Sequence, residues 1–111
     1  MRVTTDQASY AAGGRVGITI RNEGTKTWAF NPCTRRLERE VNGAWTAANE
    51  PNRVCTMEAW ILKEHETRQA TTDLPADLAA GTYRLVIDFG EQATNGGSTQ
   101  GNSNGFAVTR P

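Results

Sequence analysis

Imidazole chemistry in this sequence begins and ends at His65, the one histidine among 111 residues. It stands between Glu64 and Glu66 in a charged stretch that reads as a surface turn. Nucleophilic catalysis needs a nucleophile with a base in reach, and such a turn makes His65 a solvated residue. Glu64-His65-Glu66 also lacks the second histidine of a HExxH zinc-protease motif. Cys33 and Cys55 are too far apart for a redox CxxC pair, and with one histidine they fall short of a four-ligand zinc site. A disulfide between them is the preferred reading, with two buried free thiols as the alternative. Paired carboxylates meet only in three dimensions, but the one carboxylate in an apolar run, Asp88, faces outward in its strand. Gly96-Gly97 lies in polar coil with no helix to receive a phosphate, and no EF-hand run of acidic residues is present. These readings point away from catalysis, resident metals and cofactors.

Binding chemistry has more to work with. Aromatic faces are stacking platforms and interface anchors, and the chain has three tryptophans. Trp28 and Trp60 sit in apolar runs and are expected in the core, whereas Trp45 follows a tight turn on an edge hairpin and is a candidate contact residue. The Gly, Asn, Ser, Thr and Gln of residues 90–105 suit adaptable hydrogen bonding. That segment is expected to be a long mobile hairpin loop without apolar anchors. Asn95, Ser98, Gln100 and Asn102 join Trp45 as the candidate binding set.

What positions these residues is period-two alternation, in which one face of each strand is buried. In Arg15 to Arg21, Val16, Ile18 and Ile20 share one side, and Asn22-Glu23-Gly24 ends the run with turn chemistry. Trp28 and Phe30 share a face before Asn31-Pro32 stops the ladder. Residues 36–48 read as a hairpin, with Asn42-Gly43 supplying the positive φ angles of a type I′ turn. A helix over Thr34 to Val41 competes, but eight residues are too few to stand alone. Arg53 to Leu62 reads as a strand with Trp60 and Leu62 on one face and Met57, Ala59 and Ile61 on the other. Thr67 to Leu74 alternates with Ala70, Thr72 and Leu74 inward. Tyr83, Leu85, Ile87 and Phe89 alternate with Thr82, Arg84, Val86 and Asp88, and Gly81 is placed at the sharp turn into that strand. A tyrosine at such a corner matches the tyrosine corner of immunoglobulin-type sandwiches. Phe106 and Val108 face inward in the last strand. With a strand around Val3 to Tyr10, seven to nine short strands make an all-β, immunoglobulin-like antiparallel β-sandwich, and residues 1–111 read as one domain.

Lys plus Arg and Asp plus Glu are both 12, giving zero formal charge. No field of one sign gathers nucleic acid or anionic lipid, and no stretch nears the ~20 apolar residues of a membrane span. A disulfide implies an oxidising compartment. The expected address is therefore extracytoplasmic, with Met1 standing where a leader peptide has been removed.

Several segments in order resemble a known family: Tyr10-x-x-Gly13 before Val16-x-Ile18-x-Ile20-x-Asn22, Leu37-Glu38 with Asn42-Gly43-x-Trp45, then Leu74-Pro75, Leu78-x-x-Gly81-x-Tyr83-Arg84-Leu85 and Asn104-x-Phe106-x-Val108. Over nearly the whole chain this is similar to the bacterial immunoglobulin-like domains of secreted and lipoprotein-type surface proteins. The resemblance implies a sandwich fold and an extracytoplasmic address, with no shared catalytic residues. Cys33 and Cys55 depart from the sheet-bridging positions of antibody domains, so their bridge is expected to pin a connection or a sheet rim. A weaker likeness is to bacterial intracellular proteinase-inhibitor domains. The functions in view are an adhesion, recognition or spacing module for a protein or glycan ligand, a proteinase inhibitor, and a self-assembling subunit whose Met1 to Tyr10 segment completes the sheet of another copy.

Overall fold

A computed structural model describes residues 1–110 as two layers of mainly antiparallel strands with the apolar side chains between them. The strands are β1 (Arg2–Thr5), β2 (Ser9–Ala11), β3 (Arg15–Arg21), β4 (Trp28–Phe30), β5 (Arg36–Val41), β6 (Ala44–Ala47), β7 (Trp60–Leu62), β8 (Thr67–Asp73), β9 (Gly81–Glu91), β10 (Ser98–Asn102) and β11 (Phe106–Thr109). One turn of 3-10 helix, Pro32–Thr34, separates β4 from β5. The smaller sheet has the order β1-β3-β8. In the larger sheet the long β9 is the spine: β11 and then β10 run along one side of it, β5 and then β4 along the other. β6 extends β5, β7 extends β4, and β2 lies parallel to β11.

The alternating residues fill the space between the layers. Val16, Ile18 and Ile20 meet Tyr83, Leu85, Ile87 and Phe89, all essentially buried, with Phe30 5.3 Å from Phe89 by ring centroids. Trp28 and Trp60 pack partly buried against this core. The Tyr83 hydroxyl donates to the Ala79 carbonyl at 2.7 Å, four residues upstream, which is the expected tyrosine corner. Gly81 is already the first residue of β9, and its φ is not left-handed. The absent side chain instead leaves room for Arg39, whose Nε would lie 2.9 Å from a Cβ there. Asn42 and Gly43 turn the β5–β6 hairpin with φ of 52° and 81°. Buried Asn22 ends β3, donating to the Lys26 and Lys63 carbonyls and accepting from Gly24 N–H.

Eleven strands among the described residues replace the expected seven to nine: two departures add strands and a third shortens one. The N-terminal segment crosses between sheets, so that β1 pairs with β3 and β2 with β11; the segment offered above for exchange thus pairs within its own chain. Asp6 sits at the crossing, accepting from the Tyr10 hydroxyl and from Gly17 N–H at 3.0 Å. Residues 98–102 form β10, paired with Val86–Gly90, rather than an irregular loop. Its inward-facing Gly101 explains the silent pattern: a Cβ there would sit 2.7 Å from Val3 Cγ2 and 3.0 Å from Phe89 Cε2. Backbone pairing carries this strand where there is no space for an apolar side chain. The expected strand over residues 53–62 shrinks to Trp60–Leu62, because residues 53–56 are held to other parts of the chain.

The Tyr10 hydroxyl, then the Gly17 amide, holds the Asp6 carboxyl below its ordinary value of 3.8. A depressed folded pKa adds stability that is complete above the unfolded value and lost as pH falls through the folded one. Asp6→Asn is therefore expected to flatten part of the loss in thermal midpoint below pH 3.8. An unchanged acid limb in that variant would remove this role. The remainder of the limb includes Asp73, whose carboxyl is lowered by the Arg15 guanidinium.

Candidate binding surfaces

The connection from β6 to β7 is fixed at several points before it turns outward. Asn31, the cap of the 3-10 turn, accepts from Cys33 N–H and donates through Nδ2 to the Thr56 carbonyl at 3.0 Å. Cys33, within that turn, forms a disulfide with Cys55, Cα atoms 5.8 Å apart. The bridge pins a connection at the rim, as expected from where the cysteines fall in the sequence.

An ion network braces the same segment. The Arg35 side chain is wholly inaccessible to solvent, and its Nη1 donates to both Glu50 oxygens at 2.7 and 2.8 Å. Its Nε donates to Thr72 Oγ1 at 2.9 Å and its Nη2 to the Asp73 carbonyl at 3.1 Å, tying the loop to the smaller sheet. Arg53 reaches Glu50 at 2.8 Å and donates to the carbonyls of Cys33 and Arg35. Burial pushes the Arg35 pKa down and Glu50 opposes the shift; guanidinium is basic enough to stay charged regardless. A buried cation of this kind requires its counter-charge and hydrogen bonds, and here it has both.

From this brace Val54 and Met57 project entirely into water, at 100% and 102% relative exposure. Both stood inside the expected strand. Their spacing was the available warning, since residues three apart fall on opposite strand faces and one buried face cannot take both. Arg35, Glu50 and Arg53 left no sequence signal, because their pairing depends on the fold bringing separate segments together.

The residues expected to bind lie elsewhere. Trp45 projects from β6 on the solvent face of the larger sheet, with the Arg84 guanidinium 4.7 Å from its ring centroid. Arg84 Nε in turn donates to Glu38 Oε1 at 2.7 Å. A Cβ on Gly105 would lie 3.6 Å from the far edge of the Trp45 ring, so the indole lies across the sheet. By register Ser98, Gln100 and Asn102 are opposite Gly90, Asp88 and Val86, placing them on this same face. Asp88 faces outward as expected and accepts from Arg36 at 2.9 Å, while Val86, also on this side, is buried at 1% exposure. Asn95 stands apart in the 92–97 turn with φ of 58°. The fold thus brings Trp45, Ser98, Gln100 and Asn102 onto one face, the last three on the paired strand β10.

His65 is exposed in its turn, 3.4 Å from Glu64. Among the described residues no group of three or more His, Cys, Asp or Glu is placed to hold a metal ion. No helix there is long and apolar enough to cross a membrane.

Among solved structures, the chain is similar to the ASH/PapD-like domain 7 of human CEP192, at 14% identity and a TM-score of 0.45, over 99% of this chain and 87% of that one. No curated protein matches the sequence. The bacterial Ig-like domain family matches residues 1–100, from the first strand through most of β10. The chain belongs to the bacterial Ig-like domain family.

Proposed function

We propose that this domain is a non-catalytic, extracytoplasmic recognition module that binds another protein through the braced segment carrying Val54 and Met57. The observation that carries the reading is full exposure of two apolar side chains on a segment held by a disulfide and an ion network. Folding gains nothing from leaving both in water, whereas docking into an apolar pocket would bury them. Bracing lowers the ordering cost of such an encounter, and methionine adapts to irregular pockets. The disulfide supports an oxidising address. The same braced, exposed segment also suits insertion into a protease cleft, which makes proteinase inhibition the second reading. Trp45, Ser98, Gln100 and Asn102 offer another contact surface, polar with one partly covered indole, for a protein or glycan.

Screening the domain against secreted and surface proteins tests these assignments. The Val54→Ser/Met57→Ser variant is expected to bind the captured partner at least ~30-fold more weakly, the effect of losing an interface hot spot of about 2 kcal/mol. Circular dichroism should remain unchanged, since neither side chain packs. Undiminished binding by that variant with loss on Trp45→Ala would move recognition to the sheet face. Protease inhibition at micromolar concentration, lost in the double variant, would establish the second reading.

A further inference from the structure

Among the described residues β8 is an edge strand, paired only with β3. β7, which precedes it in sequence, extends the larger sheet instead. The phase of the β3–β8 ladder follows from its ends: Asn22 N–H donates to the Glu66 carbonyl and Leu74 N–H to the Gly14 carbonyl, both at 2.9 Å. Hydrogen-bonded and non-bonded pairs alternate in an antiparallel ladder. The even-numbered residues from 66 to 74 therefore bond to β3, and the N–H and C=O groups of Thr67, Gln69, Thr71 and Asp73 point away from the sheet. The strand runs seven residues without the proline or lysine that often blunt an edge. Beside it runs a cleft of about 370 Å³ whose lining includes Ala70, Thr71 and Thr72 of β8 together with Trp60, Glu58 and Cys33.

We propose that β8 is a self-association edge, on which a second copy of this chain pairs its own β8 antiparallel about a two-fold axis at Ala70. In that register Thr67 faces the partner's Asp73 and Gln69 faces the partner's Thr71, so all four outward-pointing residues are engaged on both copies. Charge selects the arrangement. On the solvent face Asp73 already accepts from Arg15 Nε at 2.9 Å, and Arg21 Nη1 donates to Thr67 Oγ1 at 3.2 Å. Pairing creates the row Arg15, Asp73, the partner's Thr67, the partner's Arg21, which sets each carboxylate between two arginines at both ends of the interface. Moving the axis to Gln69 keeps the hydrogen-bond phase but puts Asp73 opposite the partner's His65 and breaks that row.

On the inner face the axis brings Ala70 against the partner's Ala70, where small side chains permit close approach. The Arg68 guanidinium is held toward β7 there, 4.6 Å from the Trp60 centroid and donating to the Ile61 carbonyl. The Asp73 carbonyl accepts from Arg35 on one side, and a carbonyl has a second lone pair for the partner's Thr67 N–H.

Sedimentation equilibrium of the oxidised protein over a micromolar-to-millimolar series is expected to show a monomer–dimer equilibrium that weakens with added salt. Thr71→Pro deletes an N–H that points away from β3, leaving the internal ladder intact. By symmetry it removes two bonds between copies, and is expected to weaken the dimer at least ~10-fold with secondary structure retained. Arg21→Asp, a surface change that places like charges beside the partner's Asp73, decides the matter if the proline variant misfolds, and should weaken the dimer comparably. A monomer throughout the wild-type series overturns the proposal, as does a dimer unaffected by whichever of these variants remains folded.

Discussion

Replacing Glu50 by alanine is expected to destabilise the fold by about 3–5 kcal/mol, the cost of stranding one partner of a buried ion pair. Arg35 is the reason. Its side chain has no exposed surface, and Glu50 provides both carboxylate oxygens to a single guanidinium nitrogen. Without Glu50 the guanidinium keeps only Thr72 and the Asp73 carbonyl inside the fold, and Arg53 loses the same carboxylate. A loss of that size is a large fraction of a small domain's margin. The prediction is sharpened by the pair: Arg35→Met/Glu50→Ala should cost less than Glu50→Ala alone, because the double change removes the uncompensated charge. Urea unfolding of the two variants and the wild type measures both quantities. A Glu50→Ala loss below about 1 kcal/mol, the range of exposed pairs, would mean that the network contributes little to the brace.

The second large effect belongs to the bridge. Cys33→Ser/Cys55→Ser is expected to cost about 3 kcal/mol in the chain-entropy model for a sequence separation of 22. Reduction of the wild-type protein should give a similar shift in denaturation midpoint. The two effects differ in where they act. The bridge limits the unfolded chain and holds residue 55 to residue 33, while the ion network ties the same connection to β8 through Thr72 and Asp73. Neither touches Leu85, Ile87 or Phe89, so the reduced domain should keep its far-ultraviolet spectrum at low temperature while unfolding more readily.

The parts of the fold legible in sequence are those in which one residue type meets one local requirement. Tyr83, Leu85, Ile87 and Phe89 had to share a face, and Asn42-Gly43 had to supply two positive φ angles; both readings match the structure. The cysteine pairing was legible because alternatives that use two thiols and one imidazole are few. Elements that rely on tertiary contacts were not. β10 has glycine where Val3 and Phe89 leave no room, so a paired strand carries the composition of a loop. Residues 53–59 have strand-like composition, yet Arg53, Cys55 and Thr56 are bound to Cys33 and Asn31 instead of to a neighbouring strand. The candidate contact residues Trp45, Asn95, Ser98, Gln100 and Asn102 were placed by sequence on a hairpin and a loop; the fold sets three of them on β10, Trp45 on the same face and Asn95 in the turn before that strand. The exposure of Val54 and Met57 was not legible, because both fall within a run that reads as a strand.

The most direct test of the recognition reading is whether the segment bearing Val54 and Met57 is rigid before any partner arrives, which backbone ¹⁵N relaxation reports on the picosecond-to-nanosecond timescale. Order parameters near the ~0.85 of rigid backbone are expected for residues 53–57 in the oxidised protein, falling on reduction. Values below about 0.6 in the oxidised protein, comparable to a free chain end, would contradict a pre-organised binding loop.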